Sequence, residues 1–231
     1  ELTRLLLDAG ADPNKPFIGQ MHNATMCCDT KSNETPFYRA AKAADVAGIK
    51  MMLAHGADAN WKPDIESKPV GIEGDTIEIV SRSAVMVAIT GGKGVGVSGG
   101  PNDLRYGPPP YRESGTRDPV EAVMLLLEAG ADVNVLGPDK NTALHIASKA
   151  LNPDIVRALV ANDANIDAQN KDGETSLYQV ENMEPPAPLP GFYFKAPPAQ
   201  PVEIVALLKE FGAADIPVPD KEVDLEEDNA Q

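Results

Sequence analysis

Three segments of the chain place apolar side chains three and four residues apart, the spacing that lays a stripe along one face of a helix. Ile49, Met52 and Leu53 form one set, Val123, Leu126 and Leu127 a second, and Val156, Leu159 and Val160 a third. In a fourth segment Val205 and Leu208 keep the first two positions and Lys209 takes the last. The helix starts are also legible. Asp118-Pro119, Asn152-Pro153 and Gln200-Pro201 put proline at the first helical position, where its missing N–H removes no hydrogen bond. Asp118 and Asn152 are good N-caps, and Glu121 is placed to complete a capping box with Asp118. The helices are predicted to stop at Gly56, Gly130 and Gly212, where a left-handed residue satisfies the last carbonyls. Asp163 holds that place in one copy and adopts the conformation less readily than glycine.

The stop signals recur as a longer motif. Gly10-Ala11-Asp12-Pro13-Asn14, Gly56-Ala57-Asp58-Ala59-Asn60 and Gly130-Ala131-Asp132-Val133-Asn134 are close copies. Asp163-Ala164-Asn165-Ile166-Asp167 and Gly212-Ala213-Ala214-Asp215 are altered ones. The five leading residues stand 46, 74, 33 and 49 residues apart. A second motif precedes them: Thr35-Pro36-Phe37-Tyr38-Arg39-Ala40, Ser83-Ala84-Val85-Met86-Val87-Ala88, Thr142-Ala143-Leu144-His145-Ile146-Ala147 and Thr175-Ser176-Leu177-Tyr178-Gln179-Val180. Thr35 to Gly56 and Thr142 to Asp163 are both 21 residues. Taking the 33-residue interval as the unit, the longer spacings imply insertions of 13, 15, 26 and 16 residues.

The unit of 33 and the Thr142–Ala147 motif resemble those of the ankyrin-repeat family. The resemblance covers residues 1–215 and implies an all-α ankyrin-repeat solenoid of about four and a half repeats with long inserted loops. Its repeats would occupy about 1–14, 33–60, 81–134 (insertion 91–117), 140–167 and 173–215 (insertion 181–200). Residues 216–231 are expected to form an acidic tail. The elaborated loops are similar to those of exported bacterial ankyrin-repeat proteins. That favours a periplasmic or extracellular location, with the cytoplasm left open.

The ends of the array should differ from its middle. Lys209 puts a charge where other repeats are apolar, so residues 202–211 read as a C-terminal cap with a polar outer face. At the start, Leu5, Leu6 and Leu7 show no such polarity. Leu6 and Leu7 are expected to pack on the next repeat and Leu5 to face upstream residues. The opening therefore reads as the second half of a repeat inside a larger polypeptide.

Composition narrows function more than fold. The 20 Lys and Arg against 35 Asp and Glu give a formal net charge of −15. An acidic surface repels phosphate backbones and disfavours nucleic acid as a partner. No apolar run is long enough to span a bilayer. Cys27 and Cys28 are adjacent, which makes no disulfide framework. With His22 they match no zinc spacing, and the Gly92–Gly96 stretch lacks the Gly-Lys-Ser/Thr ending of a phosphate loop. No catalytic constellation accompanies His22, His55 and His145, and no cofactor is expected; His145 reads as a hydrogen-bonding stabiliser.

What remains is a binding module. The resemblance implies a concave face lined by first helices and by fingers between repeats, with the helix–helix turns at the opposite edge. Tyr38, Arg39, Lys42, Trp61, Lys62, Lys149 and Tyr178 are the candidates on that face, since aromatic and Arg side chains are favoured binding anchors. Tyr106, Tyr111, Phe192, Tyr193 and Phe194 are candidates on the two edge insertions, where they would cluster over the turn at Leu151 and Asn152. The expected function is non-catalytic recognition of a protein partner, with a small-molecule ligand disfavoured. The alternative is a structural subunit of a larger, membrane-associated or redox assembly.

Overall fold

A computed structural model describes residues 2–16, 34–63, 82–91, 117–183 and 200–218. It contains the helices α1 (Leu2–Asp8), α2 (Pro36–Lys42), α3 (Val46–Ala54), α4 (Ala84–Ile89), α5 (Pro119–Glu128), α6 (Ala143–Lys149), α7 (Pro153–Ala161), α8 (Ser176–Glu181) and α9 (Pro201–Glu210). Consecutive helices pack as hairpins, α2 on α3, α4 on α5, α6 on α7 and α8 on α9. The hairpins stack in two layers. First helices α2, α4, α6 and α8 make one layer, and second helices α3, α5, α7 and α9 the other. This is an all-α solenoid of stacked helical hairpins. Among the described residues the only β pairing is an isolated antiparallel bridge between Asp45 and Arg117.

Each first helix begins at a hydroxyl residue. The side chains of Thr35, Ser83 and Thr175 accept from the backbone N–H of Tyr38, Met86 and Tyr178 at 3.1, 3.3 and 3.2 Å. Second helices begin at carboxylate or amide caps. Asp45 accepts from Gly48 N–H at 3.0 Å, Asn152 from Ile155 N–H at 3.1 Å, and Asp118 from both Val120 and Glu121 N–H. Glu121 departs from the expected capping box. Its carboxylate accepts from Lys50 Nζ at 2.6 Å and so ties α5 to α3. A helix-to-helix ion pair takes the place of the local capping bond, as the two second helices pack together.

The helix stops behave as expected. Gly10, Gly56, Gly130 and Gly212 have φ between +82° and +91°, and Asp163 has φ +63°. Behind each, the following alanine N–H reaches back to the carbonyl of Leu6, Met52, Leu126, Leu159 or Leu208, closing the helix as a Schellman motif does.

The asparagine ending the motif links neighbouring repeats. Asn14 Nδ2 donates to Gly56 O at 2.8 Å while its Oδ1 accepts from Asp58 N–H at 2.8 Å. Asn60 does the same to Gly130 and Asp132 at 3.0 and 2.7 Å, and Asn134 to Asp163 and Asn165 at 3.0 and 2.8 Å. Asp167 takes this place in the next copy and accepts from Ala214 N–H at 2.9 Å. A carboxylate cannot donate, so the ladder's last rung lacks half of its hydrogen bonding.

One continuous core runs between the layers, with Phe37, Ile49, Met86, Leu126, Leu144, Ile155, Leu177 and Leu208 fully buried. Gly91 is small for a packing reason. A Cβ there would sit 2.7 Å from Cβ of Ala44, in the turn between α2 and α3. Leu7 joins the core, but Leu6 does not: it is 54% exposed, and Leu2 and Leu5 are exposed beside it. The expectation that Leu6 packs on the next repeat is therefore corrected. Measured from the motif, Leu6 is the counterpart of Met52, Leu126, Leu159 and Leu208. Those four are buried in hairpins, and α1 has no first helix before it among the described residues. At the other end Lys209 is half exposed and donates to Glu181 Oε1 at 2.7 Å, consistent with a polar cap.

Candidate binding surface

The candidates of the first described hairpin converge on one side chain, Tyr38 of α2. Its hydroxyl donates to the Arg82 carbonyl at 3.0 Å, just before the cap of α4. His145 does the same work two hairpins further on. Its Nε2 lies 3.1 Å from the Glu174 carbonyl, just before the cap of α8, and its Nδ1 lies 2.8 Å from the Thr142 hydroxyl. The carbonyl requires Nε2–H, so Nδ1 is the acceptor for both the Thr142 hydroxyl and its backbone N–H. Burial holds the His145 pKa below its usual value, which keeps the ring in this neutral form.

Tyr38 is accordingly buried, at 4% exposure, and is scaffold where the sequence suggested a surface anchor. Burial raises its pKa strongly, the Glu34 charge adds to the rise, and Arg82 opposes it. The hydroxyl remains a donor throughout the physiological range. At Tyr38 and at His145 the signature position is structural because it bridges successive first helices.

Trp61 packs edge-on against Tyr38, with ring centroids 5.4 Å apart and planes at 69°. The ring is half-buried, so one side rests on scaffold while part remains at the surface. Charged side chains surround this pair. Arg39 Nε and Lys42 Nζ approach the two oxygens of Glu34 at 3.1 and 2.8 Å, and both cations stay more than two-fifths exposed. Lys62 follows Trp61 and is exposed, as is Arg82. The structure thus brings Trp61 onto Tyr38 and Arg39 and Lys42 onto Glu34, while Lys62 adjoins Trp61 in sequence alone. Sequence reasoning missed Glu34 and Arg82, although both adjoin cap residues and could have been found from that.

Lys149 is exposed at the end of α6 and Tyr178 is half-buried on α8. Tyr178 lines a groove of about 310 Å³ at the C-terminal end, with Thr175, Glu181, Asp215, Ile216 and Pro217. The sequence held no signal for that groove, which arises where residues 214–217 run back along α8. Tyr106, Tyr111, Phe192, Tyr193 and Phe194 lie outside the described residues, as do His22, Cys27, Cys28 and the glycine-rich stretch at Gly92–Gly96. Among the described residues there is no cluster of three or more potential metal ligands, and no helix is long and apolar enough to cross a membrane.

Comparison with known proteins agrees with this architecture. A family model described as ankyrin repeats (many copies) matches residues 126–179. The chain is 30% identical over 182 residues to neurogenic locus notch homolog protein 1 of Xenopus laevis, covering 74% of this chain and 6% of that protein. It is 40% identical over 65 residues to protein fem-1 homolog C of Homo sapiens, 28% of this chain and 10% of that one. Cortactin-binding protein 2 of Rattus norvegicus matches at 37% over 82 residues, 35% of this chain and 5% of the relative. The matched segments span a tenth or less of these relatives' lengths. All three come from animals, so the bacterial resemblance gains nothing from them.

Proposed function

Because the chain is an ankyrin-repeat protein, and ankyrin repeats are generally protein–protein interaction modules, we propose that it captures a protein partner on its first-helix and finger surface around Trp61. The supporting observation is the seat of that ring. Tyr38 fixes it from below at 5.4 Å, so little side-chain freedom is left to lose on binding, while exposed Arg39, Lys42 and Lys62 border it. On this reading the function is non-catalytic, and the two described histidines, His55 and His145, serve hydrogen bonds within the scaffold.

The full chain immobilised as bait tests this. Trp61→Ala or Arg39→Ala is expected to weaken capture of a native-source protein by about 2 kcal/mol, as for a hot-spot truncation. Circular dichroism should show the fold unchanged. If deleting residues 94–115 abolishes capture and Trp61→Ala does not, the inserted edge with Tyr106 and Tyr111 is the site instead. A bait that enriches no protein saturably overturns the reading.

A second reading is a structural subunit of a larger assembly. It is favoured by the exposed Leu2, Leu5 and Leu6 on one face of α1. It predicts copurification at fixed stoichiometry and poor solubility of the isolated chain.

A further inference from the structure

The charges around Trp61 run against the sign of the molecule. The chain carries −15 overall. Yet Arg39, Lys42, Lys62 and Arg82 lie about the Tyr38–Trp61 pair, against the carboxylates of Glu34 and of Asp58, whose carbonyl accepts from Trp61 N–H. Among the described residues four cations and two carboxylates leave this patch positive. Glu34 is shared by Arg39 and Lys42, the charges of Glu34 and Arg82 both act on the Tyr38 hydroxyl, Trp61 packs on the Tyr38 ring, and Lys62 follows Trp61 in sequence. Both carboxylate oxygens of Glu34 are engaged, yet Arg39 and Lys42 keep 43% and 41% of their side chains exposed. Their remaining N–H groups can donate outward.

We propose that this patch binds an acidic segment of a partner protein, with an apolar residue of that segment seated on Trp61. The inference rests on the reading that the chain binds protein and specifies the partner's chemistry. Like charges across an interface are costly and opposite charges steer encounter. An acidic segment is therefore repelled by most of this surface and held where the sign reverses, which sets both site and register. A basic partner would be drawn everywhere except here. Arginine's planar fork suits carboxylates, and the half-buried indole offers the one flat apolar contact among the cations.

Trp61 is the chain's single tryptophan and reports on its own site. The full chain is titrated with a short synthetic peptide of glutamates around one phenylalanine, and Trp61 fluorescence is followed. A saturable change is expected, weakening about tenfold or more in Arg39→Glu and in Lys42→Glu and falling as salt is raised. Lys50→Glu, on the second-helix layer, should leave the affinity unchanged. A lysine-rich peptide of the same design should give no saturable change. Absence of saturation with the glutamate peptide, or equal binding by the charge-reversed variants, overturns the proposal. So does binding that appears only after Asp64, Glu66, Glu73, Asp75 and Glu78 are changed to amides, because the patch would then serve the chain's own acidic segment. Native-source protein captured equally by wild type and Arg39→Glu overturns the acidic-segment inference and leaves the protein-binding reading standing.

Discussion

Asp163 shows how one residue can be out of step with its repeat. Its φ of +63° matches the role of Gly10, Gly56, Gly130 and Gly212, but it carries a Cβ that this conformation disfavours. Space is not the obstacle, since a Cβ built on any of those four glycines would meet nothing within 4 Å. The cost is in the backbone. The ladder contact at this residue uses the backbone carbonyl, which glycine retains. Asp163→Gly is therefore expected to stabilise the fold by about 0.5–1 kcal/mol, measured by urea or thermal unfolding. An unchanged midpoint would mean that the carboxylate makes up the difference. Asp167 is a second residue out of step, because its carboxylate accepts from the next repeat but cannot return the hydrogen bond that Asn14, Asn60 and Asn134 supply.

Between elements, the contact of α1 with α3 depends on a proton. His55 Nδ1 donates to the Met51 carbonyl at 2.8 Å, and Nε2 lies 3.1 Å from Asp8 Oδ1. In the neutral ring Nε2 would present a lone pair to a carboxylate; only the imidazolium donates to both. The bond to Met51 and then that to Asp8 raise the His55 pKa above its usual value, against slight desolvation. A raised folded pKa means that the stabilisation is complete below the unfolded value of about 6.5 and is lost as pH rises through the folded one. Amide protection in α1 should therefore fall on raising pH across that window. His55→Ala should remove the dependence. Protection of α1 that ignores pH in the wild type would show that Leu7 packing alone holds the helix.

At the scale of the whole molecule, position in the stack decides what a residue is worth. Leu126 and Leu6 occupy the same place relative to their glycines, yet Leu126 is fully buried and Leu6 is 54% exposed. Leu126→Ala should cost about 2–5 kcal/mol, the range for a buried leucine that leaves a cavity. Leu6→Ala should stay within about 0.5 kcal/mol, as at an ordinary surface site. Equal costs in denaturant titrations would mean that α1 is covered in solution. The same one-dimensional logic explains the two ends. Each repeat contacts only its neighbours, so the C-terminal repeat can carry Lys209 where Leu127 and Val160 stand elsewhere.

The sequence alone determined the fold, because its signals are local. Helix stripes, hydroxyl and carboxylate caps, and glycine stops act within a few residues, and a 33-residue unit repeats the same instructions. It also marked the caps and stops of the described helices. It could not assign jobs to side chains whose partners lie in another repeat. Tyr38, which holds the histidine place of the signature, read both as scaffold and as a surface anchor until Arg82, 44 residues away, placed its hydroxyl inside. Glu121 read as half of a capping box until Lys50, 71 residues away, took its carboxylate. The positive patch around Trp61 likewise exists only once Glu34, Arg39, Lys42, Lys62 and Arg82 share a surface. Burial, pairing and the local sign of charge are properties of the stack, and only tertiary structure decides them.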